Sequence, residues 1–285
     1  MGLIPLGPLR RLMMVTIVAG IMILPVREAS ATPPTVAAAS DLQFALADAA
    51  ERFRDETGLE VRLNFGSSGN FRRQIAQGAP FELYLSADEA YVLALYEEGH
   101  TQDQGVVYAI GRLAWLQRSG RDDLPDDDDP LGGVREAITA HRAGDGRPRI
   151  ALANPEHAPY GVAASQALEH AGMWEDIAPL RILGENVSQA AQFALASDSR
   201  GGLVAWSLAL APTLAERSDH VLIPEDWHAP LVQRMVLIQG AGETARAFYA
   251  WLQRREARAL LEEYGFRLPD PVHDEVMPAD HVGEP

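Results

Sequence analysis

The 285-residue chain has no cysteine and no lysine. Without cysteine it can form no disulfide and carry no cysteine-linked lipid anchor. Without lysine every basic group is an arginine, and 24 of them face 40 acidic residues, a formal charge of −16. Such a field disfavours nucleic acid and predicts a soluble, self-repelling monomer. It does not forbid an anionic ligand, because local backbone donors and helix dipoles can hold an anion against an unfavourable global field. The chain also lacks HExxH or any similar ligand spacing, so neither a bound metal nor a cofactor is expected. The acidic loop RDDLPDDDDP lacks the spaced ligands of a calcium loop.

A hydrolase signature is missing too. Gly66-Ser67-Ser68-Gly69 departs by one position from the G-x-S-x-G elbow. None of the eight histidines has a carboxylate relay at a readable spacing; His157 and His228 lie in proline loops. The sequence therefore predicts no enzyme and no catalytic residue.

What is present begins with an export signal. Arg10 and Arg11 precede an apolar run from Leu12 to Val26, and Ala29-Ser30-Ala31 has the small-x-small form of a cleavage site. The run is short for a membrane span, which points to a periplasmic protein cleaved after residue 31. Setting aside Arg10, Arg11, Arg27 and Glu28 leaves 21 arginines against 39 acidic residues, a charge of −18.

The remaining chain alternates strand and helix patterns. Strands are expected at 36–39, 59–65 and 81–85, each followed by a helix, and each strand-to-helix junction carries serine: Ser40, then Ser67 and Ser68, then Ser86. A long apolar run covers 106–117. A second set follows, with strands at 149–153, 180–183 and 202–206, and with the loop Asn154–Gly161 and Gly184–Val187 at two of its junctions. A last strand at 231–238 and two helices over 243–264 close the fold. The pattern gives an α/β protein of two similar halves with a cleft between them. The segments 106–117 and 231–238 are read as the crossings. Lobe 1 is expected over 32–108 and 231–268, lobe 2 over 109–230, and a loose acidic tail over 269–285.

In an open parallel sheet, strand-to-helix junctions gather at the carboxyl edge, where ligands bind. Each presents unpaired N–H groups at a helix N-terminus, and several together make an anion site without a cationic side chain. The serines could add hydroxyl donors. Each could equally be an ordinary helix cap, Ser86 above all. Tyr160 stands on a proline-stiffened loop beside Gly161, fit either for packing or for ligand contact, and Asn186 is placed to cap a helix.

The order and spacing of AAASDL (37–42), FGSSGNFRRQIAQGAP (65–80), LSADE (85–89), ANPEHAPYG (153–161) and GENVSQA (184–190) resemble the periplasmic molybdate-binding proteins of ABC transporters. The resemblance runs over nearly the whole mature chain. It implies a two-lobed venus-flytrap fold, each lobe a mixed, mostly parallel sheet flanked by helices, that captures molybdate and tungstate and hands them to a membrane permease. Molybdenum would be bound only as the oxyanion. Family ligand positions carry over to Ser40, Ser68, Tyr160 and, through its backbone, Val187, with the Asp41 amide as a further contact. A tyrosine that the family often places in a later strand falls at Ala205, so Tyr160 is expected to supply the hydroxyl instead. The Asp41 carboxylate is expected to point away as a cap, since a carboxylate beside a dianion is penalised. Inward, it would favour a protonated anion such as phosphate. Sulfate or phosphate in the same fold, or a cleft hydrolase, are the alternatives.

Overall fold

The computed structural model describes residues 1–2, 32–121 and 123–269. But for Met1, Gly2 and Pro269, the expected export signal and acidic tail lie outside the described residues. The described residues from Pro33 to Pro269 form one compact unit. Among the described residues no helix is long and apolar enough to cross a membrane.

The chain opens with β1 (Thr35–Ala39), a 3₁₀ turn at Ser40–Leu42 and α1 (Gln43–Thr57), which buries Ala45, Leu46, Ala49 and Phe53 at helical spacing. Next come β2 (Arg62–Gly66), α2 (Ser68–Ala76), β3 (Leu83–Ser86) and α3 (Glu89–Glu97). The apolar run then forms two strands, β4 (Val106–Gly111) and β5 (Leu113–Arg118), with Arg112 between them. Beyond the acidic loop lie α4 (Gly132–Ala143), β6 (Arg149–Ala153), α5 (Pro159–His170), β7 (Arg181–Gly184), α6 (Val187–Ala194) and β8 (Ser199–Ala205). Two single-turn helices, α7 (Trp206–Ala209) and α8 (Pro212–Ala215), lead to β9 (Ser218–Leu222). Then β10 (Leu231–Leu237), α9 (Glu243–Leu252) and α10 (Arg255–Glu263) complete the described chain.

The strands build two sheets of the same plan, β2-β1-β3-β10-β4 and β7-β6-β8-β5-β9. In each, three parallel strands are extended by an antiparallel strand and then an antiparallel edge strand. Helices flank both sheets, so the molecule is a two-lobed α/β protein. The chain passes from the first sheet to the second at Arg112 and rejoins the first with β10. Arg112 itself is anchored there: its Nε and Nη2 donate to the Gly265 carbonyl at 3.0 and 2.8 Å, and its guanidinium lies over the Trp206 ring.

Each lobe has its own core. In the first, α1, α9 and α10 cover one face of the sheet through Phe53, Phe248 and Trp251, while Phe71, Tyr84 and Val92 pack on the other. The core of the second lobe also takes in Ala39, Ala87 and Leu231 from strand ends and junctions of the first. Apolar burial thus continues across the cleft.

Two elements differ from the sequence reading. Helix α4 was not anticipated, because its first turn is Gly132-Gly133, poor helix formers behind an acidic loop. Strand β9 was hidden by its composition: Ser218, Asp219 and His220 suit a solvated edge and give no apolar run.

Candidate functional site

β1, β2 and β3 are parallel, so Ser40, Ser67 and Ser86 leave the sheet at one edge. Facing that edge are the starts of α5 and α6 from the second lobe. Between them lies a small cavity lined by Ser40, Asp41, Ser67, Ser68, Tyr160 and Val187, together with small apolar residues. No arginine and no histidine lines it. The five residues singled out in the sequence, Ser40, Asp41, Ser68, Tyr160 and Val187, are therefore brought together. Ala205 is not among the lining residues; it is buried at the end of β8, paired with Leu113.

The two adjacent serines of the Gly66–Gly69 turn do different work. Ser67 caps α2, accepting from the Asn70 amide at 3.4 Å, and its hydroxyl meets His157 Nδ1 at 2.8 Å. Ser68, wholly buried, accepts from the Ala87 amide at 3.0 Å. A hydroxyl that accepts from a backbone amide keeps its own hydrogen for another partner. Ser40 is held in the same way, accepting from the Ser188 amide of the other lobe at 3.3 Å. Neither Ser40 nor Ser86 is the helix cap that each could have been. Asp88 caps α3, and the Ser86 hydroxyl closes a turn with the Asp88 backbone.

At the second lobe, Asn186 caps α6 by accepting from the Gln189 amide at 3.0 Å. With the Ser188 amide committed to Ser40, the Val187 N–H is the one left unpartnered of the first three in that helix, among the described residues. Tyr160 sits in the first turn of α5, and Pro159 fixes the preceding backbone.

Asp41 corrects the sequence reading: its side chain is not an outward-pointing cap. It is buried between the lobes, where Oδ2 accepts from the Tyr160 hydroxyl at 3.1 Å and from Gln233 Nε2 at 2.6 Å. Gln233 in turn accepts from the Tyr108 hydroxyl at 2.6 Å. Oδ1 has no hydrogen-bond partner. Burial pushes the carboxyl up from 3.8 to about 6, against the bonds from Gln233 and Tyr160 and the nearby amides of Asp41 and Leu42. Burial likewise drives the Tyr108 and Tyr160 phenols well above their usual range, with the neighbouring Asp41 charge adding to it. The Tyr160 hydroxyl thus has its hydrogen committed to Asp41, which the sequence gave no reason to expect. Gln233 and Tyr108 were missed as well: Gln233 meets Asp41 from 192 residues away, and Tyr108 meets Gln233 from 125 residues away.

Several of these bonds cross the cleft, and others join them. The Gly69 amide donates to the His157 carbonyl at 2.9 Å, Ser207 Oγ donates to the Asp41 carbonyl at 2.8 Å, and Ser188 Oγ meets Gln43 Oε1. A Cβ on Gly69 would stand 2.8 Å from that carbonyl, so glycine is what permits the approach. The arrangement is that of a closed cleft.

Ser67, His157 and Glu185 also form a series that resembles a catalytic triad. Its geometry does not serve that role. Ser67 engages Nδ1 rather than Nε2, and Nε2 is 3.6 Å from a Glu185 carboxylate that is 72 % exposed. Among the described residues no cluster of three or more His, Asp or Glu side chains could hold a metal ion. A larger, more open groove lies outside the cleft, but its Arg121 and Arg200 are paired with Asp123, Arg200 also with Glu136, and its Arg147 donates to the Pro179 carbonyl.

Comparison with known proteins points the same way as the geometry. Residues 34–267 match the family model described as bacterial extracellular solute-binding protein. The molybdate-binding protein ModA of Rhodobacter capsulatus is 33% identical over 218 residues, which is 75% of this chain and 80% of that one. The solved periplasmic molybdate-binding protein of Azotobacter vinelandii superposes with a TM-score of 0.72 at 28% identity, covering 83% of this chain and 99% of that one. The sulfate-binding protein SubI of Mycobacterium tuberculosis shares the fold, with a TM-score of 0.67 at 15% identity over 84% of this chain and 88% of that one.

Proposed function

The chain belongs to the bacterial extracellular solute-binding proteins, in the branch of the molybdate-binding proteins, and from this we propose that it captures molybdate, and tungstate with it, in the cleft between its lobes. As a member of that family it is a receptor and not an enzyme. It works outside the cytoplasm, in the periplasm, and hands the anion to an ABC permease. Lobe 1 comprises 32–111 with 231–268 and lobe 2 comprises 112–230, the boundary moved from 108 to the end of β4.

The observation that carries the reading is the convergence of neutral donors on a cavity with no cationic side chain. Ser40 and Ser68 each keep a hydroxyl hydrogen to give, and the Val187 amide is unpaired. Ser68 is oriented within its own lobe by the Ala87 amide, and closure adds the Ser188 amide that orients Ser40, so these dipoles replace the water shell of the anion with little reorganisation. Sulfate has the same charge and shorter bonds, so selection rests on size: a smaller anion leaves some donors unmet, each at a cost of about 1–3 kcal/mol. Tyr160 contributes as a wall, and its hydroxyl joins the anion only by leaving Asp41.

One observation favours a second reading. The buried Asp41 carboxylate is an acceptor, which suits an anion that brings its own proton, such as hydrogen phosphate. Calorimetric titration of the mature protein, freed of bound anion by unfolding and refolding, separates the two. One-to-one heat from molybdate and tungstate with little from sulfate and phosphate supports the molybdate receptor. Phosphate heat beside molybdate silence replaces it with the second reading.

A further inference from the structure

Asp41 is the only ionisable carboxyl that lines the cavity. Its two oxygens are not equivalent. Oδ2 already accepts two hydrogen bonds, from Tyr160 and Gln233, while Oδ1 is buried and unpartnered. The charged and titratable groups around it do little to neutralise it. Tyr160 from α5 and Tyr108 from β4 are neutral phenols, and Gln233 from β10 and Ser207 from α7 carry no charge. Arg112, at the crossing between the sheets, is engaged by the Gly265 carbonyl. Arg234, next to Gln233, pairs with Glu89 instead. His157 reaches Ser67 through one ring nitrogen and lies toward the exposed Glu185 through the other.

A dianion placed in this cavity beside an ionised Asp41 would set three negative charges together with no cation lining the site. Coulomb repulsion in a water-poor cleft makes that arrangement costly. A proton on Oδ1 removes it, and it turns a buried, unpartnered acceptor of a lining residue into a donor. We propose that Asp41 is the specificity-determining proton site of the cleft: a fully deprotonated tetrahedral dianion is held together with one proton taken from solvent onto Oδ1, whereas an anion that carries its own proton donates it to that oxygen. The inference rests on the reading of the cavity as an oxyanion site. Nothing is oxidised or reduced, and the proton returns to solvent when the anion leaves. The carboxyl is suited to this, since burial already raises it to about 6.

The test is calorimetric titration of the wild-type protein in buffers of different ionisation enthalpy, which counts protons exchanged on binding, from about pH 6 to about pH 8.5. Molybdate and sulfate serve as deprotonated probes and inorganic phosphate as the protonated one. Above about pH 7 the expected result is one proton taken up per molybdate, with affinity falling roughly tenfold per pH unit. Phosphate in the hydrogen-phosphate form should bind with no net uptake. Asp41→Asn offers a permanent donor, so its molybdate affinity should be flat with pH and its proton count zero. A wild-type proton count of zero with flat affinity would overturn the proposal. Molybdate silence with sulfate binding that takes up one proton would sustain the Asp41 assignment and overturn the molybdate reading. Silence from all three anions at every pH would overturn both.

Discussion

Ser67 and Ser68 are neighbours with the same side chain, and the fold gives them opposite tasks. Ser67 is consumed by its helix and by His157, so Ser67→Ala should cost stability, about 1 kcal/mol for the cap and more for the orphaned imidazole. Ser68 keeps a hydrogen for the cavity. Ser68→Ala should instead weaken molybdate binding by about 1.5–3 kcal/mol, roughly ten- to a hundredfold, as for a lost hydrogen bond to a charged group. Denaturant melts and titrations of the two variants should separate these effects; equal binding losses would undo the distinction. Asp41 has a stability signature of its own. The native carboxyl titrates near 6 and the unfolded one near 3.8, so between those values the native state holds the extra proton. Stability therefore falls as pH rises through that window and stays lowered above it. Asp41→Asn should escape the loss, gaining at most about 3 kcal/mol on wild type above about pH 6 and nothing near about pH 4. A gap that does not change with pH would mean that the carboxyl is not held neutral by burial.

At the scale of the element, the informative segment is the one that crosses between sheets. Gly111 ends β4, and a Cβ there would collide with the Tyr160 hydroxyl and lie 2.7 Å from Gln233 Nε2. Both groups bond Asp41, so Gly111→Ala should cost about 1–3 kcal/mol by overpacking and lower anion affinity through the displaced network. Unchanged denaturation midpoints and affinity would show that the crossing has slack. The crossing itself could be read from the sequence, because the apolar run at 106–117 is too long for one strand of a small lobe and is broken at Gly111-Arg112. What could not be read was the bond that holds Arg112 to Gly265, a residue from the far end of the chain. Helix α4 is a different case. Val134, Ala137 and Ile138 have the helical spacing, but two glycines at its start outweighed it by propensity, and burial in the second core reversed that.

For the whole molecule, the proposed donors come from both lobes, Ser40 and Ser68 from one and Val187 from the other. An anion that binds only the folded, closed form stabilises it by mass action, about 4 kcal/mol at a thousandfold excess over Kd. For a chain of this size that is a rise in Tm of roughly 8–16 °C. Thermal unfolding with molybdate should show it, and sulfate at the same concentration should not. A shift of equal size with both would remove size as the basis of selection. If the anion is held by local dipoles as proposed, the acidic surface sets no barrier to this, and added salt should change the on-rate more than the final shift.

Sequence by itself determined the alternation of strands and helices, the two similar halves, the junction serines, and the absence of thiol chemistry. These depend on local periodicity, turn residues and composition, which act over a few residues. Junction patterning offered the serines and Tyr160 as candidates, but the set Ser40, Asp41, Ser68, Tyr160 and Val187 came only through resemblance to a family, since nothing local joins the junctions of one half to those of the other. The tertiary structure decided which serine is free and which is spent, and that the Tyr160 hydroxyl faces Asp41. It also buried the Asp41 carboxyl between the lobes rather than leaving it as a cap. Those outcomes depend on what the other lobe presents once the cleft closes, and burial there changes the protonation of a group whose sequence neighbours give no sign of it.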